Sequence, residues 1–369
     1  MAVLNSVLPK NANTVVLYGV PALNDSVLAV LEGLRASPKP RRVYLFVDSA
    51  NDRVTAKAIS LGAAGVLPKS SLRALWRYVR ARYVLMTHDM YSARTPRSQV
   101  VMNLWHGELT KGVGQWSDDY VVKSTYSTAM SHVGAAFRCA EFGLHPDQVL
   151  ITGSPRNDMM VRSDKASVRR RLGVPDDRTL VLWLPTLRHS AETPASGTPV
   201  LPTSALPNAG EPDALGAWLA HSGVQLVIKA HSMTPLAASE ASSARLAINE
   251  EWLLERDVSL YELLAASDGL ITDASSVWVD YLLLDRPVWI HFPDRSTWLE
   301  AGSHLLDPYA AWAPGPITTD EDGLIAELRL FFDDGEDRYA VHRRFLRDVL
   351  HRHDDANATQ RILQALGLA

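Results

Sequence analysis

The order of apolar segments predicts a two-domain α/β protein in which each domain is a Rossmann-like unit built on a parallel sheet. Three observations carry this expectation. In the first half, short β-branched runs alternate with stretches of helical periodicity, the pattern of a doubly wound sheet. The rhythm pauses at a polar, arginine-rich stretch, Arg162 to Arg171, and then restarts. Finally, 369 residues with 47% hydrophobic and 21% charged side chains suffice for two cores of ordinary size.

Taken in order, Thr14 to Tyr18 (TVVLY) reads as a strand closed by Gly19, and Asp25 to Leu34 as a helix ended by Ser37-Pro38. Arg42 to Asp48 is a second strand, Ala56 to Leu61 a short helix, Gly65 to Leu67 an edge strand and Leu72 to Arg80 a helix. Tyr83 to Met86 and Val100 to Leu104 supply two more buried strands. The second series runs through strands Leu180 to Leu184 and Gln225 to Lys229, helix Leu260 to Ala266, strand Gly269 to Thr272, helix Val277 to Leu284 and strand Pro287 to His291. The boundaries follow: an N-terminal domain over 1–165, a second over 166–337, and a helical tail over 338–369. Residues 189–212, rich in Pro, Ser, Thr, Ala and Gly, exceed an ordinary connection and read as a mobile loop, a lid or a disordered segment. Ligands of open α/β sheets collect at the carboxyl ends of the strands, so functional residues are sought there, in a cleft expected between two facing domains.

Composition excludes several classes. Lys plus Arg total 37 against 41 Asp plus Glu, so no whole-protein basic field invites nucleic acid. The one cysteine, Cys139, forms no internal disulfide. Met1 to Pro9 lacks a signal pattern, and no apolar run reaches the ~20 residues that span a bilayer, so a cytoplasmic protein is expected. No basic, aromatic amphipathic helix stands out as a membrane grip. Neither GxxxxGK[ST], nor GxGxxG after the first strand, nor GxSxG occurs, which demotes NTPases, dehydrogenases and serine hydrolases.

Four strand ends carry the chemistry. NLWHGELTKGVG (103–114) ends a strand in His106 and Gly107 with Lys111 beyond. A histidine so placed suits a general base near neutral pH, against a bland reading as a structural histidine. LVIKAHS (226–232) sets Lys229 and His231 at a second strand end, and neither histidine has the partners of a zinc site. GLITDASSVWVD (269–280) leads Thr272, Asp273, Ser275 and Ser276 into a helix, a phosphate-binding arrangement or, blandly, a helix cap. Asp280, seven residues past Asp273, falls on one side of that helix with it and is a candidate for ribose hydroxyls. ITGSPRND (151–158) reads as a turn or hinge carrying Arg156, and LPTLR (184–188) presents Thr186 and Arg188. Trp105, Trp116, Trp278, Trp289 and Trp298 read mostly as core.

In their order and spacing, NLWHGELTKGVG, TGSPRND, LWLPTLR, VIKAHS, DVSLYELLAASDGLITDASSVWVDYLLLDRPVWIH and HDDANATQRI resemble the CDP-glycerol glycerophosphotransferase family, the teichoic-acid and capsule polymerase and primase type enzymes, over about Ala81 to Leu366. The resemblance implies a GT-B-like fold of two facing Rossmann-like domains and transfer of an alditol phosphate, most simply glycerol phosphate, from a CDP-activated donor to an acceptor hydroxyl, with release of CMP. It implies no tightly bound cofactor and no metal. The acceptor would be a polyol phosphate or glycan, lipid-linked acceptors implying peripheral work at the inner face of the cell membrane. Carried over by position, it makes His106 and His231 the catalytic pair, with His106 the base. Arg156 and Arg188 fall near phosphate, and Thr272, Asp273, Ser275 and Ser276 around the donor. Glu108 and Leu109 after His106-Gly107, Ala230 before His231, and Ala274 depart from the family's pattern beside these motifs. Two readings stay open beside it: a GT-B glycosyltransferase using a nucleotide sugar, and a catalytically silent module that binds a glycan or partner.

Overall fold

The computed structural model describes residues 2–49, 51–91, 95–109, 122–175, 177–186, 188–189, 199–200, 213–229, 239–242, 244–300 and 306–369. The chain forms two compact units, 1–107 with 112–162 and 349–369, and 108–111 with 163–348.

In the first unit, strands β1 (Asn11–Tyr18), β2 (Arg42–Val47), β3 (Gly65–Pro68), β4 (Ala81–Met86), β5 (Val100–Asn103), β6 (Tyr126–Ala129) and β7 (Val149–Ile151) pair in the order 3-2-1-4-5-6-7. Every pairing is parallel. Helices α1 (Ala2–Val7), α2 (Asp25–Ala36), α3 (Asp52–Ser60), α4 (Leu72–Arg80), α5 (His132–Phe142) and α6 (Pro155–Arg162) complete it up to the junction. The period of two along a strand sends alternate side chains of β1 to opposite layers: Val15 and Leu17 pack with α2, Val16 and Tyr18 with α4. Asn24, Asn51, Ser71 and Ser131 each accept a backbone N–H at a helix start, and Gly143 ends α5 at φ 62°, where a side chain would be strained.

The second unit opens with α7 (Lys165–Leu172), formed by the arginine-rich stretch and capped by Asp164. Arg169 anchors it by donating to the Ala266 carbonyl at 3.0 Å and to Asp268. Then come β8 (Thr179–Leu184), a two-residue antiparallel pair β9 (Arg188–His189) and β10 (Pro199–Val200), α8 (Ala214–Ser222), β11 (Val224–Lys229), β12 (Ser239–Ser242) and β13 (Arg245–Ile248). They are followed by α9 (Glu250–Glu255), α10 (Leu260–Ala266), β14 (Gly269–Thr272), α11 (Val277–Tyr281), β15 (Val288–His291), α12 (Arg295–Glu300), α13 (Tyr309–Trp312), β16 (Ile317–Thr318), α14 (Glu321–Phe332) and α15 (Ala340–Leu350). The large sheet runs 12-13-11-8-14-15-16, parallel except for edge strand β12. With that edge removed, the winding is that of the first six strands of the first unit. The GT-B-like α/β class predicted from the sequence is thus borne out.

The last helix, α16 (Ala358–Ala365), packs on α2 and α6 of the first unit. The expected turn over Ile151 to Asp158 ends at Ser154, because Pro155 suits the first helical position and starts α6. The helix expected over Val277 to Leu284 divides into α11 and a 3-10 turn, Leu282–Leu284. Most of the 189–212 loop lies outside the described residues.

Candidate active site

In the first unit, β5 ends in a turn built by its own side chains. Asn103 Oδ1 accepts the Trp105 N–H at 2.9 Å, and Trp105 takes a left-handed backbone, φ 54°, which is rare for a bulky residue. Its indole is held edge-on to Phe142 at 4.8 Å, with the Arg138 guanidinium 5.5 Å from the ring. Arg138, 1% exposed, pairs with Glu141 at 2.5 Å and donates to the Gly107 carbonyl at 3.1 Å. Helix α5 therefore clamps the Trp105-His106-Gly107 turn from behind.

This turn presents His106 beside the end of β4. Nδ1 of His106 lies 2.8 Å from the Thr87 carbonyl, which only accepts, so Nδ1 carries the proton and Nε2 keeps its lone pair. His88 stacks on the ring face to face, centroids 3.8 Å apart and planes 3° apart, and Trp105 lies tilted at 4.3 Å. The ring keeps contact with solvent, yet the crowding by protein pushes its pKa down to about 3. His88, Arg156 and Arg138 act in the same direction, while the Thr87 carbonyl opposes them. Burial likewise lowers His88 to about 4, with Lys69 assisting and Asp48 opposing. Both rings are neutral at pH 7, and His106 offers one accepting nitrogen.

Arg156 is buried in α6. The motif around it is a lock: the Asp158 carboxylate accepts the N–H groups of Ala358 at 2.9 Å and Thr359 at 2.7 Å, the start of α16. Arg361 donates to the Thr152 carbonyl at 2.9 Å and forms a two-bond ion pair with Asp355. TGSPRND and HDDANATQRI, distant in sequence, hold one another. Gly153, at φ 80°, makes the turn between β7 and α6.

In the second unit, the ends of β8 and β14 are joined by Asp273. Its carboxylate, 1% exposed, accepts the Thr186 N–H at 2.9 and 3.0 Å, the Thr186 hydroxyl, and the Ser275 N–H at 3.2 Å. Thr272 donates its hydroxyl to the Leu184 carbonyl at 2.8 Å. Asp273 therefore stands ahead of α11 and organises the turn, so it does not share a helical face with Asp280. That carboxylate is 1% exposed and accepts from Tyr261 Oη at 2.8 Å, bracing α11 on α10. Asp280, expected to meet ribose hydroxyls, braces the unit from inside in this structure. Ser275 and Ser276 remain partly exposed, and Ser276 takes the cap position without a side-chain cap bond. Lys229 is buried and pairs with Glu250 at 2.7 Å. Arg188 is placed on β9 by its backbone; Lys111, Trp116 and His231 lie outside the described residues. Trp278 and Trp289 are core residues.

His88 belongs to the site although no motif in the sequence marks it. Its signal was position: Thr87-His88-Asp89 directly follows β4, whose carboxyl end adjoins that of β5.

Two Rossmann-like units of this winding, with a histidine and a serine turn at strand ends, define an α/β protein of the GT-B-like class. Residues 1–367 match the family of CDP-glycerol:poly(glycerophosphate) glycerophosphotransferases, and the chain belongs to that family. It is 26% identical over 359 residues to a teichoic acid ribitol-phosphate primase of Bacillus spizizenii, covering 88% of this chain and 84% of the relative. It is 23% identical over 394 residues to a teichoic acid glycerol-phosphate transferase of Staphylococcus aureus, covering 95% and 94%. Among solved structures, the wall teichoic acid polymerase TagF superposes with a TM-score of 0.79 at 20% identity, covering 97% of this chain and 89% of that one. A UDP-GlcNAc 2-epimerase from Neisseria meningitidis superposes at 0.57 with 14% identity, covering 96% and 100%.

Proposed function

We propose that the protein transfers an alditol phosphate from a CDP-activated donor to an acceptor hydroxyl, with His106 as general base. The observation that carries this reading is the fixed tautomer: with Nδ1–H spent on the Thr87 carbonyl, Nε2 accepts the hydroxyl proton. The acceptor oxygen then bonds to the alditol-bearing phosphorus as the bond from that phosphorus to the bridging oxygen breaks, and CMP leaves with the electron pair. A low pKa keeps the ring unprotonated before the donor arrives, and the donor's negative charge raises its basicity once bound.

The donor's charge falls to Arg156, Arg188, Lys111 and Lys229, to the Ser275 and Ser276 hydroxyls, and to His231 as the second histidine; Gly107 gives the backbone close approach. Of the serine turn, Thr272, Asp273 and Thr186 shape rather than bind, judged by their internal hydrogen bonds. The names of the relatives, one a ribitol-phosphate and one a glycerol-phosphate enzyme, support an alditol donor of either kind. Glycerol is the simplest assignment and a teichoic-acid-like polymer the simplest product.

An acceptor on a lipid carrier would bring the protein to the inner face of the membrane as a peripheral partner. No helix among the described residues is long and apolar enough to cross a membrane. In support of surface contact, Leu72 and Trp76, one turn apart on α4, are 84% and 54% exposed, flanked by Arg73, Arg77 and Arg80.

Calorimetry with CDP-glycerol, CDP-ribitol, CMP, UDP-sugars and UDP tests the donor class. Selective cytidine binding, weakened at least tenfold by Ser275→Ala with Ser276→Ala, is expected. Preference for a uridine sugar would move the reading to a glycosyltransferase, and no nucleotide binding at all to a silent module.

A further inference from the structure

We propose that His88 is a positioning residue for His106: its ring, stacked face to face at 3.8 Å, fixes the plane of the His106 imidazole and so the direction of the Nε2 lone pair. The proposal rests on the reading of His106 as base.

One hydrogen bond leaves an imidazole only partly fixed. The terminal torsion of a histidine is broad, and the bond from Nδ1 to the Thr87 carbonyl pins one corner of the ring while permitting the plane to rock about it. A parallel ring in van der Waals contact removes that motion. To serve, His88 must itself be fixed, and the chain of bonds behind it does this. Asn24 caps α2, its Oδ1 accepting the Val27 N–H at 3.2 Å, which turns its amide Nδ2 toward Thr87 Oγ1 at 3.0 Å. The same Thr87 hydroxyl is hydrogen-bonded to His88 Nδ1 at 2.9 Å, which ties the second ring to the cap. Thr87 therefore serves both rings, its carbonyl holding His106 and its hydroxyl holding His88. Gly19 makes the arrangement possible, since a Cβ there would lie 2.2 Å from Asn24 Nδ2 and 2.9 Å from Thr87 Oγ1.

The stack also bears on charge. Asp48 and Lys69 influence His88 from the ends of β2 and β3 with opposite sign, and their own ion pair at 2.6 Å leaves His88 beside a balanced pair. Arg138 and Arg156 face His106 from α5 and α6. The neutral stack is thus set against protonation on both sides until the substrates bring negative charge.

The test compares His88→Leu, which fills the space without a flat face, with His88→Phe, which keeps the flat face and loses the Thr87 bond. With donor and acceptor supplied, His88→Leu should lower kcat at least tenfold while the donor KM changes less than twofold, and His88→Phe should recover at least a third of wild-type kcat. Independently of turnover, NMR relaxation spectra of the imidazoles should show the His106 ring ordered in wild type and His88→Phe, and rocking about the Thr87 bond in His88→Leu. Leu and Phe variants of equal kcat, or a His106 spectrum unchanged in His88→Leu, would overturn the proposal. His106→Ala run alongside separates the two layers. Full activity there removes the base and this proposal with it, whereas an inactive His106→Ala beside a fully active His88→Leu removes the positioning role alone.

Discussion

Replacing Asp158 by alanine should release α16 from the first unit. The carboxylate is 2% exposed and accepts two backbone N–H groups of a helix start, at 2.9 and 2.7 Å, from residues that are 3% and 5% exposed. Hydrogen bonds to a charged acceptor contribute ~1.5–3 kcal/mol each, and their loss here also strands two buried donors. Two such bonds, discounted because they share one carboxylate, amount to about 3–5 kcal/mol. Asp158→Asn keeps one good acceptor and should cost roughly half as much. Because two compact units need not unfold together, the suitable assay is amide hydrogen exchange of Ala358–Ala365. At 1.4 kcal/mol per decade, protection there should fall by about a hundredfold to a few thousandfold in Asp158→Ala. Protection within threefold of wild type would refute the assignment of TGSPRND as a lock on the C-terminal helix.

Asp273→Ala should loosen the join between β8 and β14, since Thr186 and Ser275 lose their acceptor; a loss of about 2–4 kcal/mol in the second unit, with donor binding weakened in parallel, is expected by denaturant titration and calorimetry. An unchanged unfolding midpoint would contradict it. Stability should also depend on acid in a defined sense. His106 and His88 have folded pKa values of about 3 and about 4 against an ordinary 6.5, so below 6.5 the unfolded chain takes up protons that the folded chain refuses. Their contribution is fully present above pH 6.5 and is lost as pH falls toward 4 and then 3. The urea midpoint of wild type should therefore drop more steeply from pH 7 to 4.5 than that of His88→Phe, and equal slopes would count against the neutral stacked pair.

What the sequence revealed of the fold, and what it did not, follows from the range of the forces involved. Strands with β-branched apolar runs, such as β1, β2, β8 and β14, are legible because the burial of each residue is written in its own side chain. Strands β6 (YSTA), β7 (VLI) and β13 (RLAI) are short or polar and owe their form to the neighbours they pair with, so local reading passed over them. The arginine-rich stretch hid α7 for the same reason: its arginines find partners in residues about a hundred positions away.

The candidate site divides along the same line. His106 was legible as a histidine at a strand end, and its environment was not, because the Thr87 carbonyl, the stacked His88 and the α5 clamp all come from other elements. Spacing put Asp273 and Asp280 two helical turns apart, but helix α11 begins only at Val277 and turns Asp280 inward to Tyr261. Asp158 looked like turn chemistry, and its two partners lie 200 and 201 residues along the chain.

The most direct test of the central claim is nucleotide release from CDP-glycerol and CDP-ribitol with a polyol-phosphate acceptor, comparing wild type with His106→Ala. CMP formed in step with acceptor extension, at a rate reduced at least a thousandfold in a folded His106→Ala protein, is the predicted result. CMP formation unaffected by that substitution, or turnover of UDP-sugars in place of CDP-alditols, would contradict it.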